Sequence, residues 1–344
     1  MTVVGSSIKV LCSVGARRRS AFGLLAATAA VMLGMATGPV NNGFAQGVAR
    51  QPEHPGKTVR LLTVGNSFSG NATHFLGNLA GAAGNTLVYR TASIGGGSMA
   101  QHWERVLRYE KDPHDKKATY GAKSLQEMLL AEKFDFVTIQ QYSFISHDLA
   151  TYRPYVRNLY DFIKKHAPQA EVLVHQTWAY RCDDPRFAKK SAKPGQPASQ
   201  DAMYQGLTRA YETIAAELGV RIIPVGDAFH LADTDPTWGF KPALTVEPAQ
   251  MTYPALPDQL HSLHSGWRWG KDKVGQPVLQ MDGHHAGLAG EYLGACVFYE
   301  MLFGETVVGN KFVPKGLDES YARFLQQTAH KAVETRQPHV SKKP

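Results

Sequence analysis

Short apolar runs alternate with helical patterns along most of this chain, and no other feature of the sequence restricts the fold as much. Residues 59–64 read as a strand, followed by a helix over about 73–83, and residues 86–91 read as a second strand, followed by a helix over about 98–109. A helical pattern at 124–133 leads into a third strand at 134–140, and a helix near 152–166 leads into a fourth at 171–176. A helix over about 201–218 precedes a further strand at 220–225, before a Gly-Asp turn, and an apolar helix follows at about 286–303. A helix between two strands makes the crossover that parallel pairing requires, and its apolar face covers the sheet. The pattern predicts an α/β protein: a single three-layer α/β/α, flavodoxin-like domain over residues 58–344, with a parallel sheet of about five strands. In such a sheet, reactive groups belong on the loops beyond the carboxyl ends of the strands.

Two stretches interrupt the alternation. Residues 180–200, rich in Lys, Pro and Ala, read as solvated and mobile, whereas residues 235–281 form an insertion holding Trp238, Trp267, Trp269, His261 and His264. Long irregular segments in a compact domain are usually functional or disordered. The aromatics of the second either wall a substrate pocket or form a satellite hydrophobic cluster.

The first 45 residues are of another kind: Lys9, Arg17, Arg18 and Arg19 precede an apolar stretch at 22–35, with small residues at Gly43 and Ala45. This order predicts a secretory signal peptide over residues 1–45, cleaved after Ala45, with a linker at 46–57. The apolar run is shorter than the ~20 residues of a membrane span. The mature chain is therefore expected to be exported, periplasmic or extracellular, without stable membrane insertion. The leader carries four of the 37 basic residues and no acid, so the formal charge of +8 falls to +4 without it. That is a mildly basic surface rather than a nucleic-acid-binding face, and no nucleic-acid partner is expected. With 43% apolar and 19% charged residues, the 344-residue chain can bury a sizeable core. Outside the leader it has two cysteines, Cys182 and Cys296, which either form one disulfide or leave Cys296 as a core residue.

Two short motifs carry the chemistry. The first strand runs into Gly65-Asn66-Ser67-Phe68-Ser69, which puts Ser67 one short turn beyond the strand and just before a helix. That position exposes a hydroxyl and aims helix amides at it, as a nucleophile and oxyanion site require, although a Ser there is more often an N-cap. Near the other end, Met281-Asp282-Gly283-His284-His285 reads as a tight Gly turn in which Asp282 can orient an imidazole acting as general base.

Gly65-Asn66-Ser67 and Asp282-x-x-His285, in this order at opposite ends of an alternating α/β chain, resemble the first and last blocks of the SGNH (GDSL-like) hydrolase superfamily. Residues 282–293 look especially like a family of uncharacterised secreted SGNH-like proteins. The resemblance implies Ser67 as nucleophile, His285 as base and Asp282 as its orienting carboxylate, with His284 the rival base. It also implies an oxyanion hole made by the Ser67 amide, a Gly after the second strand and an amide side chain after the third. Gly96 supplies the second, with Gly95 and Gly97 close competitors. For the third, the usual Gly-x-Asn-Asp is replaced by Gln140-Gln141-Tyr142-Ser143, and Gln140 is favoured over Gln141 because a Gln amide can donate as Asn does. His102, Trp103 and Trp178 would line the same sheet edge, His102 and Trp178 being the candidates for substrate binding.

Other chemistries fit less well. Residues 95–100 match Gly-x-Gly-x-x-Ala, but they follow the second strand, and the acidic residue of a dinucleotide site is absent after the third. His261-x-x-His264 and Asp282-x-His284-His285 lack the His-Glu-x-x-His helix or Cys-x-x-Cys pairs that mark zinc sites, so no metal or organic cofactor is expected. The expected activity is a serine esterase acting on a small-molecule or glycan ester, with O-acetyl groups on carbohydrates as the substrate. The alternative is a non-catalytic glycan-binding protein that retains the fold.

Overall fold

A computed structural model describes residues 56–188, 195–242 and 250–336. The expected signal peptide and all but the last two residues of the expected linker lie outside the described residues. In chain order the elements are β1 (Thr58–Gly65), α1 (Ser67–Thr73), α2 (Leu76–Ala82), β2 (Thr86–Ser93), α3 (Met99–Lys111), α4 (Leu125–Ala131), β3 (Phe136–Ile139), α5 (Tyr155–His166) and β4 (Glu171–His175). They continue with α6 (Pro185–Ala188), α7 (Gln200–Leu218), β5 (Ile222–Ile223), α8 (Val225–Asp233), β6 (His264–Lys271), β7 (Pro277–Ala286), α9 (Leu288–Phe303) and α10 (Glu319–Arg336).

The first five strands form one parallel sheet in the order β2-β1-β3-β4-β5. β1 lies inside it, and Leu61, Leu62 and Val64 are all buried, as expected of a strand covered on both faces. Helices α3, α4 and α7 each pack against α5, while α1, α2, α8 and α10 gather around α9. The result is the α/β/α architecture that the alternation predicts. Helix α9 is apolar on every side, and nearly all of it is buried. Its outer neighbour α10 buries Tyr321, Ala322, Leu325, Ala329 and Ala332. That spacing is helical and legible in the sequence, yet α10 was not among the expected elements.

Three local expectations need correction. The helix expected over 73–83 is α2, and an unexpected helix precedes it, because the Asn66 side chain accepts from the Phe68 N–H and starts α1 at Ser67. The fifth strand stops at Ile223, and Gly226-Asp227 lies inside α8 rather than in a turn. A Cβ on Gly226 would lie 2.2 Å from the Thr177 carbonyl oxygen, so only glycine lets α8 approach the exit of β4 this closely. The Trp-rich insertion is not irregular throughout: β6 and β7 form an antiparallel hairpin, irregular between His264 and Gly266. Asp272 closes its turn by accepting from the Val274 and Gln276 amides.

Among the described residues, no helix is long and apolar enough to cross a membrane. Cys182 is exposed and Cys296 buried, and both are free thiols.

Candidate active site

β1 delivers the chain to Gly65, where there is no room for a side chain: a Cβ would stand 2.5 Å from Ser69 Oγ and 2.7 Å from Gln140 Cγ. Asn66 follows, buried, and ties together the ends of three strands. Its Oδ1 accepts from Phe68 N (3.0 Å) and Gln140 Nε2 (3.0 Å), and its Nδ2 donates to the Gly97 carbonyl (2.9 Å). Ser67 is thereby fixed as the first residue of α1.

The hairpin brings the other half of the site. Ser67 Oγ lies 3.0 Å from His285 Nε2, and His285 Nδ1 lies 3.0 Å from Asp282 Oδ2. A carboxylate can only accept, so Nδ1 carries the proton and Nε2 presents its lone pair to the serine hydroxyl. Asp282 Oδ1 also accepts from the His285 backbone N–H at 3.1 Å. Burial opposes the charge on Asp282, but the imidazoles of His284 and His285 and this amide outweigh it and hold the carboxyl far below the usual carboxylate range. Ser67, His285 and Asp282 are thus brought together in the expected order. Asp282 and His285 sit at the end of β7, not in the tight turn expected of them.

His284 is close by. Its Nδ1 is 2.9 Å from Asp282 Oδ1 but out of line for a hydrogen bond, and its ring centroid is 4.0 Å from that of His285. Among the described residues the hydrogen bond to Ser67 Oγ comes from His285, not from His284.

The oxyanion expectation is met unevenly. Gly96 has φ +61° in a turn closed by Gly97 N donating to the Ile94 carbonyl (2.8 Å), the position of a type II turn that favours glycine. Among the described residues, neither the Ser67 nor the Gly96 N–H has an acceptor in the protein. Gln140 departs from expectation. It is buried, both its amide hydrogens are committed to Asn66 Oδ1 and the Gln141 carbonyl, and its Oε1 accepts from Ser69 Oγ at 2.6 Å. Gln141 is no substitute, because its Nε2 donates to Thr151. The two glutamines knit loops together instead of facing the hydroxyl.

His102 and Trp178 are likewise not exposed to a substrate. His102 is fully buried; its Nε2 donates to the Gly65 carbonyl (3.0 Å), which leaves Nδ1 to accept from Tyr120 Oη (2.7 Å). Burial lowers its pKa to about 4 and keeps it neutral. Trp178, also fully buried, is sandwiched between Phe68 (4.3 Å) and Phe229 (4.6 Å), and its Nε1 donates to the His284 carbonyl at 2.9 Å. Both residues support the backbone that carries the site.

Much of that support comes from the stretch expected to be solvated and mobile. Tyr180, Arg181 and Asp184 are buried, and Arg181 N donates to the Gly283 carbonyl (2.7 Å) while its guanidinium reaches Asp183, Gln259 and Ser262. Residues 189–194 of that stretch lie outside the described residues. Of the tryptophans in the insertion, Trp238 stacks on Tyr321 and Phe324, as a satellite cluster would. Asn66, Arg181 and His284 were not singled out by sequence reasoning for the parts they play here.

No curated protein matches the sequence. Among solved structures, the chain is similar to a DUF4886 family protein from Bacteroides uniformis, at 24% identity over 83% of this chain and 98% of that one, with a TM-score of 0.61, a likeness of fold. It also resembles a protein from Slackia heliotrinireducens assigned to the SGNH hydrolases (22% identity, 71% of this chain and 98% of that one, TM-score 0.44). A third is a protein from Parabacteroides merdae assigned as a GDSL-like lipase (15% identity, 72% and 96%, TM-score 0.40). At those scores the likeness carries no functional weight. The family described as "Domain of unknown function (DUF4886)" matches residues 60–237, more than half of the 344, and the chain belongs to that family.

Proposed function

We propose that this protein is an exported serine esterase with Ser67 as nucleophile, His285 as general base and Asp282 as the carboxylate that orients it. The observation that carries the reading is the continuous relay from Ser67 Oγ through both nitrogens of His285 to Asp282, each step at 3.0 Å. A base with its lone pair directed at the hydroxyl and its N–H directed at a carboxylate is what an unactivated serine needs. In the reaction, Ser67 Oγ attacks an ester carbonyl and its proton passes to His285 Nε2. Asp282, ionised throughout, stabilises the imidazolium. The Ser67 N–H and the Gly96 N–H donate to the tetrahedral oxyanion, since both are uncommitted. His285 then returns the proton to the departing alcohol. Water, deprotonated by the same ring, cleaves the acyl-enzyme.

Export is supported by the basic, apolar and small-residue order of residues 1–45. An exported esterase with a mildly basic surface suits a carbohydrate ester, and O-acetyl groups on a glycan are the proposed substrate. Acetate release from acetylated polysaccharide but not from lipid esters supports this substrate, and the opposite preference rules it out. One observation favours a second reading. Gln140 and Gln141 are both spent on internal bonds, which leaves the oxyanion hole one donor short of the superfamily's three and suits a glycan-binding protein that has lost turnover. Glycan binding that survives Ser67→Ala, together with no ester turnover by the wild type, selects it.

A further inference from the structure

We propose that Asp282, His284 and His285 form a binding site for a divalent transition-metal ion, zinc above all, and that the bound ion switches the serine off. The switching half rests on the esterase reading; the binding half does not.

Three donors converge. One carboxylate oxygen and one nitrogen from each imidazole lie within 4.8 Å of one another. The nitrogens nearest the carboxylate are the two Nδ1 atoms, 2.9 and 3.0 Å from Asp282 oxygens. Zinc bonds of about 2.0–2.2 Å put tetrahedral donors about 3.3 Å apart, so seating an ion needs the two nitrogen–oxygen separations to open by a few tenths of an ångström and the whole donor set, now within 4.8 Å, to close around it. Two imidazoles and a carboxylate leave a fourth position for water.

A second observation points the same way. His284 Nδ1 is a buried nitrogen without a hydrogen-bond partner. Buried polar atoms are nearly always satisfied, and this one lies beside a carboxylate at an angle a proton cannot use. A metal ion between them would satisfy both. The backbone carrying the donors is fixed from behind: Trp178 Nε1 holds the His284 carbonyl and Arg181 N holds the Gly283 carbonyl. A Cβ on Gly283 would lie 2.4 Å from Asp184 Oδ2, so the strand is also pressed close to its neighbour. Such backing holds ligands in register for an ion.

Switching follows from the tautomer. Catalysis needs the His285 proton on Nδ1, facing Asp282, and the lone pair on Nε2, facing Ser67. An ion that takes the Nδ1 lone pair requires that proton to move, through solvent, to Nε2. The ring stays neutral, but Nε2 then donates to Ser67 Oγ and can no longer receive its proton. Metal-bound and catalytically competent states are mutually exclusive.

The test titrates zinc chloride into residues 46–344 by calorimetry for the wild type, Ser67→Ala, His284→Gln and Asp282→Asn, with thermal melts to verify folding. Ser67→Ala keeps every donor and should bind one zinc ion like the wild type, at micromolar concentration. His284→Gln and Asp282→Asn should each weaken binding at least tenfold. In parallel, the rate of fluorophosphonate labelling of Ser67 should fall at least tenfold with zinc in the wild type and recover with EDTA, while labelling of His284→Gln should not respond to zinc. No saturable binding by the wild type, or equal affinity in folded His284→Gln and Asp282→Asn, overturns the site. Binding that leaves labelling unchanged overturns the switch. A wild type that never labels, even in EDTA, counts against the esterase reading, and the calorimetric comparison still decides the metal site.

Discussion

Ser67 and His285 stand 218 positions apart and meet through one short turn and one strand end. Each motif was legible because its chemistry is local: a hydroxyl beyond a strand, and an acid three residues before an imidazole. The third oxyanion donor was not legible. Nothing in the string Gln140-Gln141 says that one amide is spent on Asn66, at the end of another strand, and the other on Thr151, ten residues along the same connection, because both bonds depend on how the chain folds back. His102 and Trp178 were misplaced for the same reason, since a polar tip beyond a strand can face inward as readily as outward. The role of Asp282 gives a prediction at this scale. Asp282→Asn keeps the shape but cannot hold the His285 proton on Nδ1 in the same way. Ester turnover should fall by about 10³–10⁴-fold with an intact fold, by analogy with the carboxylate of other Ser-His-Asp enzymes. Steady-state kinetics beside a thermal melt reads this directly, and a loss below tenfold contradicts the assigned role.

The β6–β7 hairpin was the element least visible in the sequence, because its glycines and the polar run Asp282-Gly283-His284-His285 break the period-2 pattern that marks a strand. It matters most to the site, since its second strand ends on Asp282 and His285. Trp178 is the joint between this hairpin and the sheet: its ring packs under Phe68, next to the nucleophile, and its Nε1 holds the backbone beside the base. Trp178→Phe keeps an aromatic ring in the stack and removes that hydrogen bond. The variant should lose about 1 kcal/mol of stability for the unpaired His284 carbonyl, and its Ser67 labelling rate should fall several-fold. A variant that melts lower but labels at the wild-type rate would show that Trp178 only packs.

For the molecule as a whole, alternation of strands and helices was enough to anticipate a five-stranded parallel sheet between helical layers. Boundaries shifted where side chains intervened, as Asn66 does at α1 and Pro224 before α8. The core also holds three buried neutral histidines: burial lowers His102 and His264 to about 4 and His175 to about 3. In the unfolded chain each returns to about 6.5 and takes up a proton more readily, so stability is greatest above that pH and declines as the pH falls toward 4. His175 has no partner for either ring nitrogen and meets Phe298 edge-on. Replacing it with an apolar group of similar size, His175→Leu, should flatten this acid decline and stabilise the fold by about 1 kcal/mol at pH 7. Denaturant melts at pH 7 and pH 5 check both, and a steeper decline in the variant would refute the assignment. The central claim is that Ser67 is an activated nucleophile, and the most direct measurement is fluorophosphonate labelling of residues 46–344 with intact mass and peptide mapping. The account predicts a single adduct on Ser67, absent in folded Ser67→Ala and His285→Ala; no adduct on well-folded wild-type protein, or one on another residue, would contradict it.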